Sequence, residues 1–253
     1  MPQDFVLFCE ARTGSYSLVS RLDSCPGIVC HKEIFKRKRI ELPGAHLDRL
    51  SIRSVEARNA APRRFLAELR ALDPGRIVGF KLFNTHLRWT PGLEAHLQAP
   101  ATRRVVLWRD PLEVYASSLR AKATGIWTHR NDHDRHRDRP EAALAARVRY
   151  TPESLARFAA RYNAFLAMAN RLAALPGSFV IHYEQIGDAA ALAALLGFLG
   201  SPADPAATSS DYAKQYTGSL AGGFENWEAL AAAAGGGLFL PGPAPSHAPR
   251  AGP

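Results

Sequence analysis

Four short runs of consecutive apolar residues stand out along the chain, each bounded by polar or turn-forming positions. They are Asp4–Glu10 (DFVLFCE), Arg76–Phe83 (RIVGFKLF), Arg103–Trp108 (RRVVLW) and Ser178–Tyr183 (SFVIHY). Runs of this length without alternation suit strands buried on both faces. Helix-spaced apolar positions lie between them. One set follows Ser15 through Leu18 and Leu22, and two lie near 46–59 and 62–72, divided by Pro62. Another starts at Pro111 and runs through Val114, Leu119 and Ala123, and two more cover about 152–175 and 188–199. Strands that alternate with helices pair in parallel through right-handed crossovers, which predicts a three-layer α/β domain with a central parallel sheet. From Gly235 onward the chain is Gly, Pro and Ala with little to bury, so the pattern predicts one domain over residues 1–234 and a disordered tail over 235–253.

The 253 residues are 47% hydrophobic and 22% charged, which excludes wholesale disorder and leaves a sizeable core. No apolar run approaches the roughly 18–20 residues that span a bilayer, and the N-terminus lacks a signal pattern. Cys9, Cys25 and Cys30 cannot all pair and have no CxxC spacing, which points to a reduced, cytoplasmic setting.

Charge changes the picture more than composition does. The formal net charge is +9, but residues 1–150 carry 27 basic against 16 acidic side chains, and residues 151–253 carry 5 against 7. Of the 32 basic residues 26 are Arg, the side chain that grips phosphate and sulfate-like oxyanions in a planar fork. Two motifs fix particular arginines. Arg12-Thr13-Gly14-Ser15-Tyr16-Ser17 joins the first strand to a helix, a turn that exposes backbone N–H groups at the positive end of the helix dipole. It is neither GxxxxGK[ST] nor GxGxxG. Arg109-Asp110-Pro111 ends a later strand, with Ser117 two turns into the helix that follows. Ligands of open α/β sheets collect at the carboxyl ends of strands, so both motifs face one crevice and suit a ligand with phosphates at two positions.

The pair FVLFCEARTGSYSLVSRL and VVLWRDPLEVYASSL resembles the 5′-phosphosulfate loop and 3′-phosphate motif of sulfotransferases that use 3′-phosphoadenosine 5′-phosphosulfate (PAPS). Arg rather than Lys at position 12 looks most like the bacterial carbohydrate enzymes of the nodulation and trehalose type. Lys32-Glu33-Ile34-Phe35, Lys122–Trp127 (KATGIW), His182-Tyr183-Glu184 and Phe224-Glu225-Asn226-Trp227 are similar to further segments of that family. The resemblance covers about residues 4–230 and implies a P-loop-like fold. It also implies transfer of a sulfuryl group from PAPS to a hydroxyl of a carbohydrate, glycolipid or other small acceptor, with no metal required. It gives phosphate and sulfuryl contacts to Arg12, Thr13, Gly14, Ser15, Tyr16, Ser17, Arg109, Ser117 and Lys214. Glu33 and His86 are alternative general bases, and Lys81 is placed to reach the sulfuryl group.

Tyr16 stands where the family usually has a small hydroxyl residue, and Lys32 where it often has Gly. Two other activities compete with this reading. A P-loop-type kinase lacks its GK[ST] here. A non-catalytic polyanion or nucleic-acid binder would explain Lys36-Arg37-Lys38-Arg39, yet no nucleic-acid motif accompanies that run. His129, Asp132, His133 and His136 lie in an Arg-rich stretch without a companion Cys and read as a solvated loop rather than a metal centre.

Overall fold

The computed structural model describes residues 4–127, 146–212, 214, 216 and 218–246. A five-stranded, wholly parallel sheet forms the middle layer: β1 (Phe5–Cys9), β2 (Ile28–His31), β3 (Ile77–Phe83), β4 (Arg103–Trp108) and β5 (Ser178–His182), in the order β2-β3-β1-β4-β5. The helices are α1 (Ser15–Asp23), α2 (Gly44–Leu47), α3 (Val55–Ala60), α4 (Pro62–Leu72), α5 (Leu93–Gln98), α6 (Pro111–Thr124), α7 (Pro152–Ala173), α8 (Ala189–Leu199) and α9 (Trp227–Ala234). Among the described residues no helix is long and apolar enough to cross a membrane.

Alternation along the strands sorts the core into two layers. Val6, Phe8, Phe80, Leu82, Val106 and Val180 face one side, packed by Phe65 and Leu69 of α4 and by Tyr162, Phe165 and Leu166 of α7. Phe5, Leu7, Cys9, Val105, Leu107 and Ile181 face the other, packed by Leu18 and Leu22 of α1 and by Leu192, Leu195 and Leu199 of α8. Every residue of β1 is buried, as a central strand covered on both faces must be. Gly79 in β3 makes room for the ring of Phe5, whose nearest atom would lie 2.1 Å from an added Cβ. The three cysteines are free and buried, and burial raises each thiol above its ordinary value.

Besides the added short helices α5 and α9, the fold departs from the sequence pattern in three places. The pattern shows four strands, whereas the sheet has a fifth, β2, only four residues long. The expected helix over 46–59 is two short pieces. Between them the carboxylate of Glu68 accepts from the Ser51 and Ile52 N–H groups at 2.8 and 3.2 Å, and Ser54 caps α3 by accepting from Ala57 N–H at 3.1 Å. Third, residues 238–246, which composition left with nothing to bury, lie along α7 and β5. Leu238 and Phe239 pack on the core, and Asn163 donates to the Leu238 carbonyl and accepts from the Leu240 N–H, each at 2.9 Å.

Outer backbone groups on both sheet edges meet partners. On β5, Ser246 N–H donates to the Val180 carbonyl at 2.9 Å, and its Oγ accepts from Val180 N–H at 2.7 Å. On β2, Arg76 donates to the Ile28 carbonyl at 2.7 Å, and Asp23 accepts from Cys30 N–H at 3.1 Å.

Candidate functional site

β1 hands the chain to α1 through a turn in which Arg12 has φ 70° and Gly14 φ 82°. A left-handed Arg costs roughly 1–2 kcal/mol, a strain that marks this turn for attention. At Gly14 a Cβ would also meet the Tyr183 ring at 2.6 Å and Ile186 at 2.8 Å, so glycine is required for both space and conformation. Gly14 caps α1 without any side-chain bond to the first-turn N–H groups, which leaves that end of the helix open to an anion. Thr13 has no exposed surface, and its hydroxyl donates to the Glu10 carbonyl at 2.7 Å. Its side chain therefore braces the turn, which leaves only its backbone to a ligand.

The two sequence motifs meet. Arg12 Nε donates to Ser117 Oγ at 3.0 Å, and another guanidinium nitrogen of Arg12 donates to the Trp127 carbonyl. Arg109 Nη1 donates to the Arg12 carbonyl at 3.3 Å, its guanidinium lies 3.8 Å over the Tyr183 ring, and its Nε pairs with Glu113 at 2.7 Å. Tyr162 fixes the Arg109 backbone by donating to its carbonyl at 2.7 Å. Burial, then the neighbouring Arg109 charge, lowers Arg12 to about 10, so Arg12 is still cationic at neutral pH.

These groups line a cavity of about 490 Å³ at the carboxyl ends of the strands. Arg12, Gly14, Ser15, Tyr16, Ser17, Arg109, Ser117 and Lys214 all face it, which leaves Thr13 as the sole residue of the expected phosphate set outside its lining. The sequence reading missed Arg21, Arg120, Tyr212 and Tyr216, which also line it, and it gave no role to Trp127, which is 52% exposed at the cavity. Arg120 lies 3.6 Å over the Tyr216 ring, and its Nε and Nη2 are buried without a hydrogen-bond partner among the described residues. Its place three residues after Ser117, on the same helix face, is the signal that could have found it. The segment 208–212 is tied to α1: Arg21 donates to the Thr208 carbonyl at 3.3 Å, and Ser17 and Ser210 share a hydrogen bond of 3.0 Å.

Glu33, Lys81 and His86 come together beside this cavity but not on its lining. Lys81 Nζ lies 3.1 Å from Glu33 Oε1 and 3.5 Å over the Tyr16 ring. His86 Nε2 lies 3.7 Å from Glu33 Oε2. The Tyr16 hydroxyl donates to Glu33 Oε1 at 3.4 Å, so Tyr16 touches both the cluster and the cavity. Burial alone would raise the Glu33 carboxyl, but hydrogen bonding from His86 and the charges of Lys81 and Lys36 bring it down to about 2. Burial lowers Lys81 and His86 from their ordinary values, against the opposing pull of Glu33.

The hydrogen bonds of His86 fix its tautomer. Its Nδ1 accepts from the Phe83 N–H at 3.2 Å, so in the neutral ring the proton sits on Nε2 and points at Glu33. A neutral His86 in this position has no lone pair for a substrate proton, whereas Glu33 does. Glu33 itself is held by its following segment, because buried Arg58 donates to the carbonyls of Ile34 at 2.6 Å and Lys36 at 3.0 Å.

The segment Phe224-Glu225-Asn226-Trp227 is tied back to the body at Val148, which bridges to Phe224. The histidines at 129, 133 and 136, with Asp132, lie outside the described residues.

No family model matches the chain, and no curated protein matches it. Among solved structures it is similar to a sulfotransferase from Alicyclobacillus acidocaldarius, with 16% identity over 92% of this chain and 91% of that one, at a TM-score of 0.45. It is similar to mouse sulfotransferase SULT7A1 complexed with PAP, with 13% identity over 82% of this chain and 61% of that one, TM-score 0.44. A sulfotransferase domain from the curacin biosynthetic pathway aligns over 96% of this chain and 94% of its own, at 14% identity and a TM-score of 0.38. Likenesses this distant carry no functional argument, so the weight rests on the residues around the cavity.

Proposed function

We propose that the chain is a sulfotransferase that takes a sulfuryl group from PAPS and passes it to a hydroxyl of a carbohydrate, glycolipid or other small acceptor. The observation that carries this reading is the Arg12–Ser117 hydrogen bond. It joins an anion-binding turn and a second arginine–serine motif on the wall of one cavity, the arrangement a nucleotide with 5′ and 3′ phosphates needs.

The geometry supports the following roles. The first turn of α1, with Ser15 and Ser17, takes the 5′-phosphate, while Arg109, Ser117 and Arg120 take the 3′-phosphate. Tyr183, Tyr212, Tyr216 and Trp127 offer rings for the base. Sulfuryl transfer breaks the bond between sulfur and the bridging oxygen of the phosphosulfate and forms a bond from sulfur to the acceptor oxygen. Arg12 offsets the charge that grows on the leaving phosphate. The acceptor hydroxyl gives its proton to Glu33, Lys81 reaches the sulfuryl oxygens, and His86, with Nε2 3.7 Å from Glu33 Oε2, orients the Glu33 carboxylate.

Calorimetry with the nucleotide product 3′-phosphoadenosine 5′-phosphate tests the proposal. Micromolar binding to the wild type, lost in Arg109→Ala, is expected. Binding of ATP in place of that product would favour a kinase and end the sulfotransferase reading.

A further inference from the structure

We propose that His31, His46 and Asp73 form a binding site for a zinc-class divalent cation. The three come from separate parts of the chain: His31 ends β2, His46 lies on α2, and Asp73 caps the carboxyl end of α4. No sequence spacing links them, yet one ligand atom from each lies within 4.8 Å of the others.

The polar atoms are not otherwise satisfied. His31 Nε2, His46 Nδ1 and Asp73 Oδ2 are all shielded from solvent and have no hydrogen-bond partner among the described residues. His31 is only 6% exposed, so its nitrogen has little recourse to bulk water. A buried polar atom without a partner costs about 1–3 kcal/mol, so three such atoms on three clustered side chains are expensive unless something binds there. The two imidazoles meet edge to face, with centroids 5.7 Å apart and planes at 85°. The remaining oxygen of Asp73, Oδ1, lies 3.5 Å from Arg76 Nη1, an outer contact that orients the carboxylate.

Two imidazoles and one carboxylate are the donor set of zinc and its neighbours rather than of magnesium or calcium, which prefer oxygen alone. Three protein ligands leave a fourth tetrahedral position for water. The donor atoms must draw together by about 1 Å to reach bonds of about 2.0–2.2 Å, within reach of half-buried side chains on a short helix and a turn. A cation there would staple α2 and the α4–β3 turn to the edge strand. Glu33 and Glu41 lie on the chain between His31 and His46, so the staple would also close the loop that carries the carboxylate of the neighbouring cluster. The site stands on its own geometry and does not depend on the sulfotransferase reading.

The test uses the full chain, stripped with chelator and titrated with zinc chloride by calorimetry, and with cobalt(II) followed by its visible absorption. One equivalent of zinc at micromolar affinity or tighter, a tetrahedral cobalt spectrum and a zinc-dependent rise in the thermal midpoint are expected. Asp73→Asn, which keeps the side-chain shape, and His46→Ala should each weaken zinc by at least ~100-fold and remove the cobalt bands. His133→Ala should change nothing. Absence of binding, or binding that persists in both Asp73→Asn and His46→Ala, would overturn the site. So would loss of binding in His133→Ala alone.

Discussion

Arg12 and Ser117 are 105 residues apart in sequence and 3.0 Å apart in space, and the arginine that makes this contact does so from a left-handed backbone. The turn is thus shaped for the position of a guanidinium at the cost of local comfort. Arg12→Gly removes the strain and the side chain together, whereas Arg12→Ala removes only the side chain. The glycine variant should be more stable than the alanine variant by about 1 kcal/mol. Both should lose affinity for the nucleotide product. Denaturant titration and calorimetry on the same preparations measure the two effects separately.

Glu113 occupies Arg109 at 2.7 Å and also faces the cavity. A phosphate bound by Arg109 must share it with this carboxylate or displace it. Glu113→Gln should therefore strengthen binding of the nucleotide product, by about 1 kcal/mol or roughly fivefold at low salt. The gain should shrink as salt rises. Weaker binding in the variant would mean that Glu113 serves chiefly to aim Arg109.

Glu33 and His86 should separate in kinetics. Glu33→Gln should abolish turnover while nucleotide binding survives, because the proton acceptor is gone. His86→Gln keeps a side-chain amide that can still donate to Glu33, so turnover should fall by about 10–100-fold rather than vanish. Full activity in Glu33→Gln would remove Glu33 as the base.

Glu10 is 3% exposed, and its Oε2 has no hydrogen-bond partner among the described residues. Burial is the main cause that raises its carboxyl above the ordinary 4.5. A raised carboxyl costs nothing below the unfolded pKa, where both states are protonated. Stability falls as pH climbs from there through the folded value, because the folded chain must then hold a poorly solvated charge. Glu10→Gln should accordingly raise the thermal midpoint at neutral pH, by about 1–3 kcal/mol of stability. The advantage should disappear near pH 4. Differential scanning calorimetry across that range shows whether it does.

The sequence showed the strands that sit mid-sheet or carry a long apolar run, and both phosphate motifs, because each is local. β2 was hidden because four residues between Gly27 and Lys32 are too few to set a pattern. The stretch 238–246 was hidden because its hold is specific rather than compositional: Asn163 and Asn170 fasten its backbone, the latter by a 2.9 Å bond to the Pro241 carbonyl. The cavity walls from Tyr212 and Tyr216 come from a distant loop, which no local motif announces. Many of the arginines prove structural. Arg104, fully buried, donates to the carbonyls of Leu97, Ala99 and Pro176 at 2.6, 2.5 and 2.8 Å. Arg58 does the same for the segment after Glu33. A positive charge count cannot distinguish an arginine that holds backbone from one that awaits an anion.

The partners along the outer strands have a bearing on how this chain behaves among copies of itself. An open strand edge is a template on which another chain can add a strand, and the first step toward aggregation. Here Ser246 occupies the Val180 position on one border, while Arg76 and Asp23 occupy Ile28 and Cys30 on the other. A chain cut after Ala234, where composition marks the boundary, would uncover the β5 border and should self-associate at concentrations the full chain tolerates. The stretch 238–246 is thus expected to act as a guard on the sheet.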